Sequence, residues 1–184
     1  LQILQVNKSS HGKQIRSGFQ KAIDIGLNKN LPELDRALAI SFLALQNPER
    51  HVSLLGNLIL SNEPLAVELA ALKTMNAIPD QTVCLFALEH WKTLSPPLQD
   101  AALNTFLENE NRVKLLIESI ESGRILKASI GWSRSVRLMT QQNVMLRDRA
   151  RMLLAKDGER EKVINDYQTA LELQGNLVRG KLVY

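Results

Sequence analysis

Three histidines and one cysteine are the residues of this 184-residue chain that most often bind metals or act in catalysis. His11, His51 and His90 are 40 and 39 residues apart, so no two have the H-x-x-x-H spacing of a metal-binding pair. Cys84 is the single cysteine, which excludes an internal disulfide and any cysteine-rich zinc or iron–sulfur site. We therefore predict no catalytic, cofactor-binding or metal-binding residue, a core position for Cys84, and a helix-end or interface position for His90.

Arginines near the C-terminal end could bind a partner. Arg134 and Arg137 are three residues apart, Arg147 and Arg151 are four apart, and Trp132 lies just upstream. On helices, each arginine pair would share one face. A guanidinium binds carboxylates through paired hydrogen bonds, so this segment predicts a surface that binds an acidic partner or a neighbouring domain.

A structural role for the same segment is the alternative. The arginines would then cap helix C-termini or pair with acidic residues inside the fold, such as Glu118, Glu121, Asp148 or Asp157. Tryptophans favour buried positions as well, so Trp91 and Trp132 would be core or inter-helix wedges. The sequence leaves both alternatives open.

Composition bounds the class of protein. The chain is 45% hydrophobic and 23% charged, has few aromatic residues, glycines or prolines, and contains no apolar run that could span a membrane. Residues 1–111 hold 9 basic and 11 acidic residues, whereas residues 112–184 hold 14 and 8. The basic half keeps nucleic-acid binding open as an alternative function. A hydrolase with a dispersed site is a third possibility, but no paired acid and base supports it.

Helical periodicity recurs along the chain, and no strand-like alternation persists. Apolar residues at i, i+4 and i+8 predict a first helix over 12–28 and a second over 31–46, the latter with Leu34, Leu38, Phe42 and Leu45 on one side. Starting signals predict further helices after Asn47-Pro48, Pro64, Asp80, Ser95-Pro96 and Asn143, with another over 110–121 that ends at Gly123. With a final helix over 159–173, we predict an all-α chain of nine to ten helices.

Four helical segments can be aligned as repeats. They are anchored by Ala37, Ala71, Ala102 and Ala150, with steps of 34, 31 and 48 residues, and the long step contains an insertion over 122–142. Small residues let neighbouring helices approach closely. The pattern resembles HEAT-type repeats, which are helix pairs stacked into a right-handed α-α superhelix. An irregular helical bundle is the alternative.

The last third of the chain resembles a narrower family. The stretches "LLIESIESGRI", "RSVRLM", "LRDRARMLL" and the ending from Tyr167 to Tyr184 are similar to the helical region of large bacterial membrane-bound dehydrogenases. In that family a β-propeller resembling sugar dehydrogenases precedes a HEAT-like region. A c-type cytochrome domain follows it and begins with the haem attachment motif C-x-x-C-H.

This resemblance implies a non-catalytic scaffold or protein-interaction module. It implies a HEAT-like domain over 1–174 and a lead-in over 175–184 to a cytochrome domain that lies beyond this chain. The present sequence contains no C-x-x-C-H, so haem c is expected only in the adjoining domain. The expected partners are the adjoining propeller and cytochrome domains or another protein. The location is expected to be extracytoplasmic, because haem c is attached outside the cytoplasm in that family.

Overall fold

The computed structural model describes residues 10–154, and within that range all regular structure is helical. The ten α-helices are α1 (Ser10–Leu27), α2 (Glu33–Phe42), α3 (Val52–Leu60), α4 (Leu65–Asn76), α5 (Thr82–Glu89), α6 (Pro96–Phe106), α7 (Glu110–Glu121), α8 (Lys127–Ile130), α9 (Trp132–Met139) and α10 (Val144–Leu154). Two short 3-10 turns lie between α2 and α3. The all-α prediction is confirmed, while the helix predicted over 159–173 lies outside the described residues.

Polar residues fix several helix starts where the sequence predicts them. Asn109 Oδ1 accepts a 3.0 Å hydrogen bond from the backbone N–H of Arg112, and Asn143 Oδ1 accepts one of 3.3 Å from Leu146. Asp80 Oδ1 accepts from the backbone N–H of Thr82 at 2.7 Å. These bonds satisfy donors that the first turn of a helix leaves unpaired.

Gly123 ends α7 as predicted, with a φ of +72°. The Gly123 N–H bonds the carbonyl of Ile120 at 3.0 Å, and the Ile125 N–H bonds that of Ser119 at 3.0 Å. A left-handed residue is needed for the chain to turn back in this way, and glycine adopts it without a Cβ clash.

Helix α4 lies at the centre of the packing. It contacts α2, α3, α5 and α6, and one apolar cluster runs from Ile40 in α2 to Ala150 in α10. Three of the repeat anchors, Ala71, Ala102 and Ala150, are fully buried, whereas Ala37 is only partly buried. Small residues at these positions allow the close approach of helices that the alignment predicts.

Helix α2 corrects one prediction. Leu38 is 71% exposed and Leu45 is 74% exposed, and Leu34 and Phe42 are also exposed. The buried side carries Arg36, Ala39, Ile40 and Leu43 instead. The apolar spacing is present, but a different face of α2 packs inward, where α1 approaches closely. A Cβ placed on Gly26 of α1 would lie 2.8 Å from Ile40 Cγ1.

The predicted insertion over 122–142 is itself helical. It contains α8 and α9, which are separated at Gly131 with a φ of +71°. Ile125, Ile130 and Leu138 from this segment are fully buried in the main core. Within residues 10–154, no helix has both the length and the apolar character needed to cross a membrane.

Candidate interaction surface

The predicted arginine-rich surface lies on α9 and α10. Trp132 begins α9 with 76% of its surface exposed, which excludes the core position that was one alternative. Trp91, two residues after the end of α5, is buried in the main core as that alternative predicts.

The two arginines of α9 bond to groups 30 to 34 residues earlier in the chain. Arg134 donates to Asn104 Oδ1 at 2.8 Å and to Asp100 Oδ1 at 2.6 Å. Arg137 donates a 3.0 Å hydrogen bond to the backbone carbonyl of Leu107. Both guanidinium groups are therefore engaged with α6 or the residue that follows it.

The arginines of α10 are less fully engaged. Arg151 donates a 3.2 Å hydrogen bond to the carbonyl of Met139 at the end of α9, as the helix-capping alternative predicts. Arg147 Nε is buried and makes no hydrogen bond within the described residues, although Asp148 Oδ1 lies 3.5 Å away. Both side chains retain N–H groups that a partner could bind.

Arg149 forms a two-point ion pair with Glu121 of α7. Its Nε and Nη2 donate to the two carboxylate oxygens at 3.2 and 2.7 Å. The hydrogen bonds to Glu121 raise the pKa of Arg149 above its usual value. This ion pair joins α10 to α7. It also leaves the Arg149 guanidinium less available to bind an external anion.

Exposed apolar side chains accompany the arginines. Met145 and Met152 are seven residues apart on α10, so they share one face, and both are largely exposed. Tryptophan, methionine and arginine are the residue types enriched in protein–protein interfaces. The candidate interaction surface therefore consists of the exposed side chains of Trp132 on α9 and of Met145 and Met152 on α10. Arg147 and Arg151 lie on a different side of α10, because residues two apart on a helix do not face each other.

A buried arginine that the sequence reasoning missed forms the densest polar cluster. Arg112 of α7 is 1% exposed. It donates to the carbonyls of Ile78 at 2.7 Å and Asp80 at 2.8 Å. It also donates to Asn76 Oδ1 at 2.6 Å and Glu108 Oε2 at 2.9 Å. These bonds satisfy the guanidinium and join α7 to the segment between α4 and α5.

Arg36 of α2 has a similar role. Its Nε donates to the carbonyl of Gly26 at 3.0 Å, and its Nη2 lies 2.8 Å from Glu63 Oε2. A sequence signal for both arginines exists in retrospect. Arg36 precedes buried Ile40 by four residues, and Arg112 precedes buried Leu116 by four, so each arginine lies in phase with a core stripe.

The remaining chemistry-bearing residues are dispersed. Cys84 is fully buried, and burial raises the pKa of its thiol to about 11. His90 follows α5 as its C-terminal cap, as predicted, and its ring lies 4.7 Å from that of Phe86. Within residues 10–154, no three histidine, cysteine or carboxylate side chains are close enough to hold a metal ion together.

Comparisons with known proteins give no relative. No protein-family model matches the chain, and neither characterised proteins nor solved structures yield a match. The functional interpretation therefore depends on the sequence patterns and on the contacts described above.

Proposed function

We propose that this chain is a HEAT-like helical-repeat scaffold that acts as a protein-interaction module. The supporting observation is a set of side chain to backbone hydrogen bonds between successive helix pairs. Thr74 Oγ1 donates to the carbonyl of Ile40 at 3.1 Å, 34 residues earlier. Arg112 reaches Ile78 across 34 residues, and Arg137 reaches Leu107 across 30.

These intervals agree with the steps of 34 and 31 residues between the first three alanine anchors. Each bond satisfies a buried carbonyl, so the loss of one leaves a polar group without a partner. Ties of this kind hold each helix pair in a fixed orientation on the previous one. The proposed mechanism is positional: the scaffold holds its partners at a set distance, and cofactors in other domains carry out any redox chemistry.

The resemblance in the sequence suggests which partners these are. We propose that the parent protein is a dehydrogenase linked to a c-type cytochrome and located outside the cytoplasm, in the periplasm or at the membrane. The adjoining propeller and cytochrome domains would then be the partners, and haem c would belong to the cytochrome. The gene sequence after Tyr184 tests this directly, because the proposal requires a C-x-x-C-H motif shortly downstream.

The interaction surface has its own test. The cytochrome and propeller domains, produced separately, are titrated into the purified chain by calorimetry. Replacing Met145 and Met152 together by Asp is expected to weaken binding of one of these domains by about tenfold or more, because two apolar contacts are lost. Leu85→Asp is the matched control, since Leu85 is also exposed but lies on α5. Binding that is absent, or equal in the double variant and the wild type, would contradict the proposed surface.

Nucleic-acid binding remains the alternative function, and the contacts argue against it. Arg134, Arg137 and Arg149 direct guanidinium groups at protein acceptors, which reduces the number of cations that could neutralise phosphates. Duplex DNA titrated at low salt is expected to give no saturable binding. Micromolar binding that weakens steeply with added salt would favour the alternative.

A further inference from the structure

An apolar groove lies between α1 and α2. Its volume is about 550 Å³. The residues that α1 contributes are spaced four and three apart, so they share one face of that helix. The apolar residues that line the groove are Gly18, Ala22 and Ile25 on one side and Leu31, Leu38, Ala39 and Phe42 on the other. These helices are distant in the chain from α9 and α10, which carry the candidate interaction surface.

Large apolar side chains are exposed around this groove. Leu38 is 71% exposed, and Leu34, one turn earlier on α2, is 65% exposed. Ile25, Leu31 and Phe42 are between 37% and 42% exposed. Single apolar residues scattered on a surface are ordinary, whereas a contiguous exposed group that includes a groove is typical of a contact site. This face of α1 and α2 therefore has the character of an interface.

Two charged side chains of opposite sign line the same groove. Lys21 lies on α1 and Asp35 lies on α2, and both are exposed. Neither side chain forms a hydrogen bond or an ion pair with any described residue, so the two are not paired with each other. A two-fold rotation exchanges the two positions between copies, which brings Lys21 of each copy to Asp35 of the other. The face is therefore complementary in charge to a second copy of itself.

We propose that this face binds a second copy of the chain in a two-fold symmetric dimer. Leu34 and Leu38 of each copy lie against the groove of the other, where the small side chains of α1 leave room for them. Lys21 of each copy forms an ion pair with Asp35 of the other. A two-fold contact uses the same patch on both copies, and this patch supplies both a leucine ridge and the groove that receives it.

The dimer is expected to be weak, because one helix pair from each copy makes the whole contact. Interfaces that bury less than about 1,200 Å² in total are typical of transient association. We expect a dissociation constant of about 100 µM, so the chain is mostly monomeric at low micromolar concentration.

Sedimentation velocity of the full chain between about 5 µM and 1 mM measures this association. The wild type should change from monomer to dimer across that range. Leu38→Glu removes an apolar contact and places a charge at the groove, and it is expected to weaken dimerisation by about tenfold or more. Leu85→Glu is the matched control, since Leu85 is also exposed but lies on α5, and it should dimerise as the wild type does.

Reversing the two charges tests the two-fold geometry. Lys21→Glu and Asp35→Lys each place like charges at both ion pairs, so each variant alone should dimerise about tenfold more weakly. An equimolar mixture of the two variants should dimerise about as well as the wild type, because each mixed dimer regains two pairs of opposite charge. Lys73→Glu is the control for a single charge reversal, since Lys73 is exposed on α4. It should leave dimerisation unchanged.

Melting temperatures at low concentration separate a contact between copies from a contact within one chain. Leu38→Glu should melt no lower than the wild type, because Leu38 is largely exposed in the single chain. A lower melting temperature would show that another part of the same chain covers this face, and it would overturn the proposal. The proposal is also overturned if the wild type remains monomeric up to about 1 mM, or if mixing the two charge variants does not restore the dimer.

Discussion

Arg112 Nη2 donates a 2.7 Å hydrogen bond to the backbone carbonyl of Ile78, 34 residues earlier in the chain. This bond joins the first turn of α7 to the segment between α4 and α5. A guanidinium that is 1% exposed would be strongly unfavourable without such acceptors. Arg112 therefore fixes the first turn of α7 to the end of α4 and the segment between α4 and α5.

Removing this guanidinium should destabilise the fold strongly. Arg112→Ala leaves the carbonyls of Ile78 and Asp80 and the side chain of Asn76 without a donor. We expect a loss of about 3 kcal/mol in the free energy of unfolding, measured by urea denaturation monitored by circular dichroism. Arg124→Ala is the control, since Arg124 is exposed, and it should lie within about 0.5 kcal/mol of wild type. Equal stability of the two variants would exclude a tying role for Arg112.

Glu63 and Glu68 should have opposite effects on stability as pH changes. The pKa of Glu68 is raised above its usual 4.5, so the folded state binds that proton more tightly, and its ionisation destabilises the fold as pH rises above about 4.5. The pKa of Glu63 is lowered below its usual 4.5, so its ionised carboxylate stabilises the fold above pH 4.5. This stabilisation is lost as the pH falls below 4.5 and the carboxylate takes up a proton.

Two glutamine variants test this difference. Glu68→Gln should be more stable than wild type at pH 7, with the gain shrinking toward pH 4. Glu63→Gln should be less stable at pH 7, because Lys29 and Arg36 lose their carboxylate, and its deficit should shrink in acid. Melting temperatures measured between pH 2 and pH 7 provide the check, because the change for Glu68→Gln falls above about pH 4.5 and that for Glu63→Gln falls below it. A constant difference across this range for either variant would contradict the assignment for that residue.

Cys84 should be unreactive in the folded chain. Its side chain is fully buried and its pKa is about 11, so only about a thousandth of the thiol is ionised at pH 8. An aromatic disulfide reagent is expected to modify Cys84 only as fast as the protein opens. Modification should therefore be immediate in 8 M urea and slow in buffer, and faster in Arg112→Ala than in the wild type. Rapid modification of the native wild-type chain would show that α5 is accessible.

Replacing each of two glycines by alanine should change the stability of the fold in opposite directions. Gly123 has a φ of +72°, and Gly123→Ala is expected to destabilise the chain by about 1 kcal/mol. Gly18 lies inside α1, with open space where a Cβ would be placed, so Gly18→Ala is expected to stabilise by up to about 1 kcal/mol. Thermal melts of both variants check the pair, and the same sign for both would be inconsistent with these backbone conformations.

The helices were predictable because local signals define them. Asn109, Gly123 and Asn143 act within one turn of their own positions, and the structure uses Gly123 and Asn143 as predicted. The inward face of α2 was not predictable from periodicity, because two faces are apolar and the choice depends on how closely α1 approaches. Leu38 illustrates the result: it lies in the apolar pattern and is nevertheless exposed.

The hydrogen bonds between distant helices could not be predicted from the sequence. The sequence groups the arginines of α9, but their acceptors lie 30 to 34 residues away, and nothing local indicates those acceptors. Arg112 looked like an ordinary charged residue in a first turn. Glu68 could not be distinguished from other helix glutamates, because its burial depends on α6 and the end of α3.

The proposed scaffold role requires that α2 through α10 form one rigid body able to hold partners at a fixed distance. Spin labels on Leu38→Cys and Met145→Cys in a Cys84→Ala background test it, since both sites are largely exposed and lie on α2 and α10. Pulsed electron–electron double resonance on the labelled full chain should give a single narrow distribution of distances between the two spin labels. Adding Arg112→Ala should broaden that distribution. A broad or multiple distribution in the chain that retains Arg112 would contradict a scaffold role.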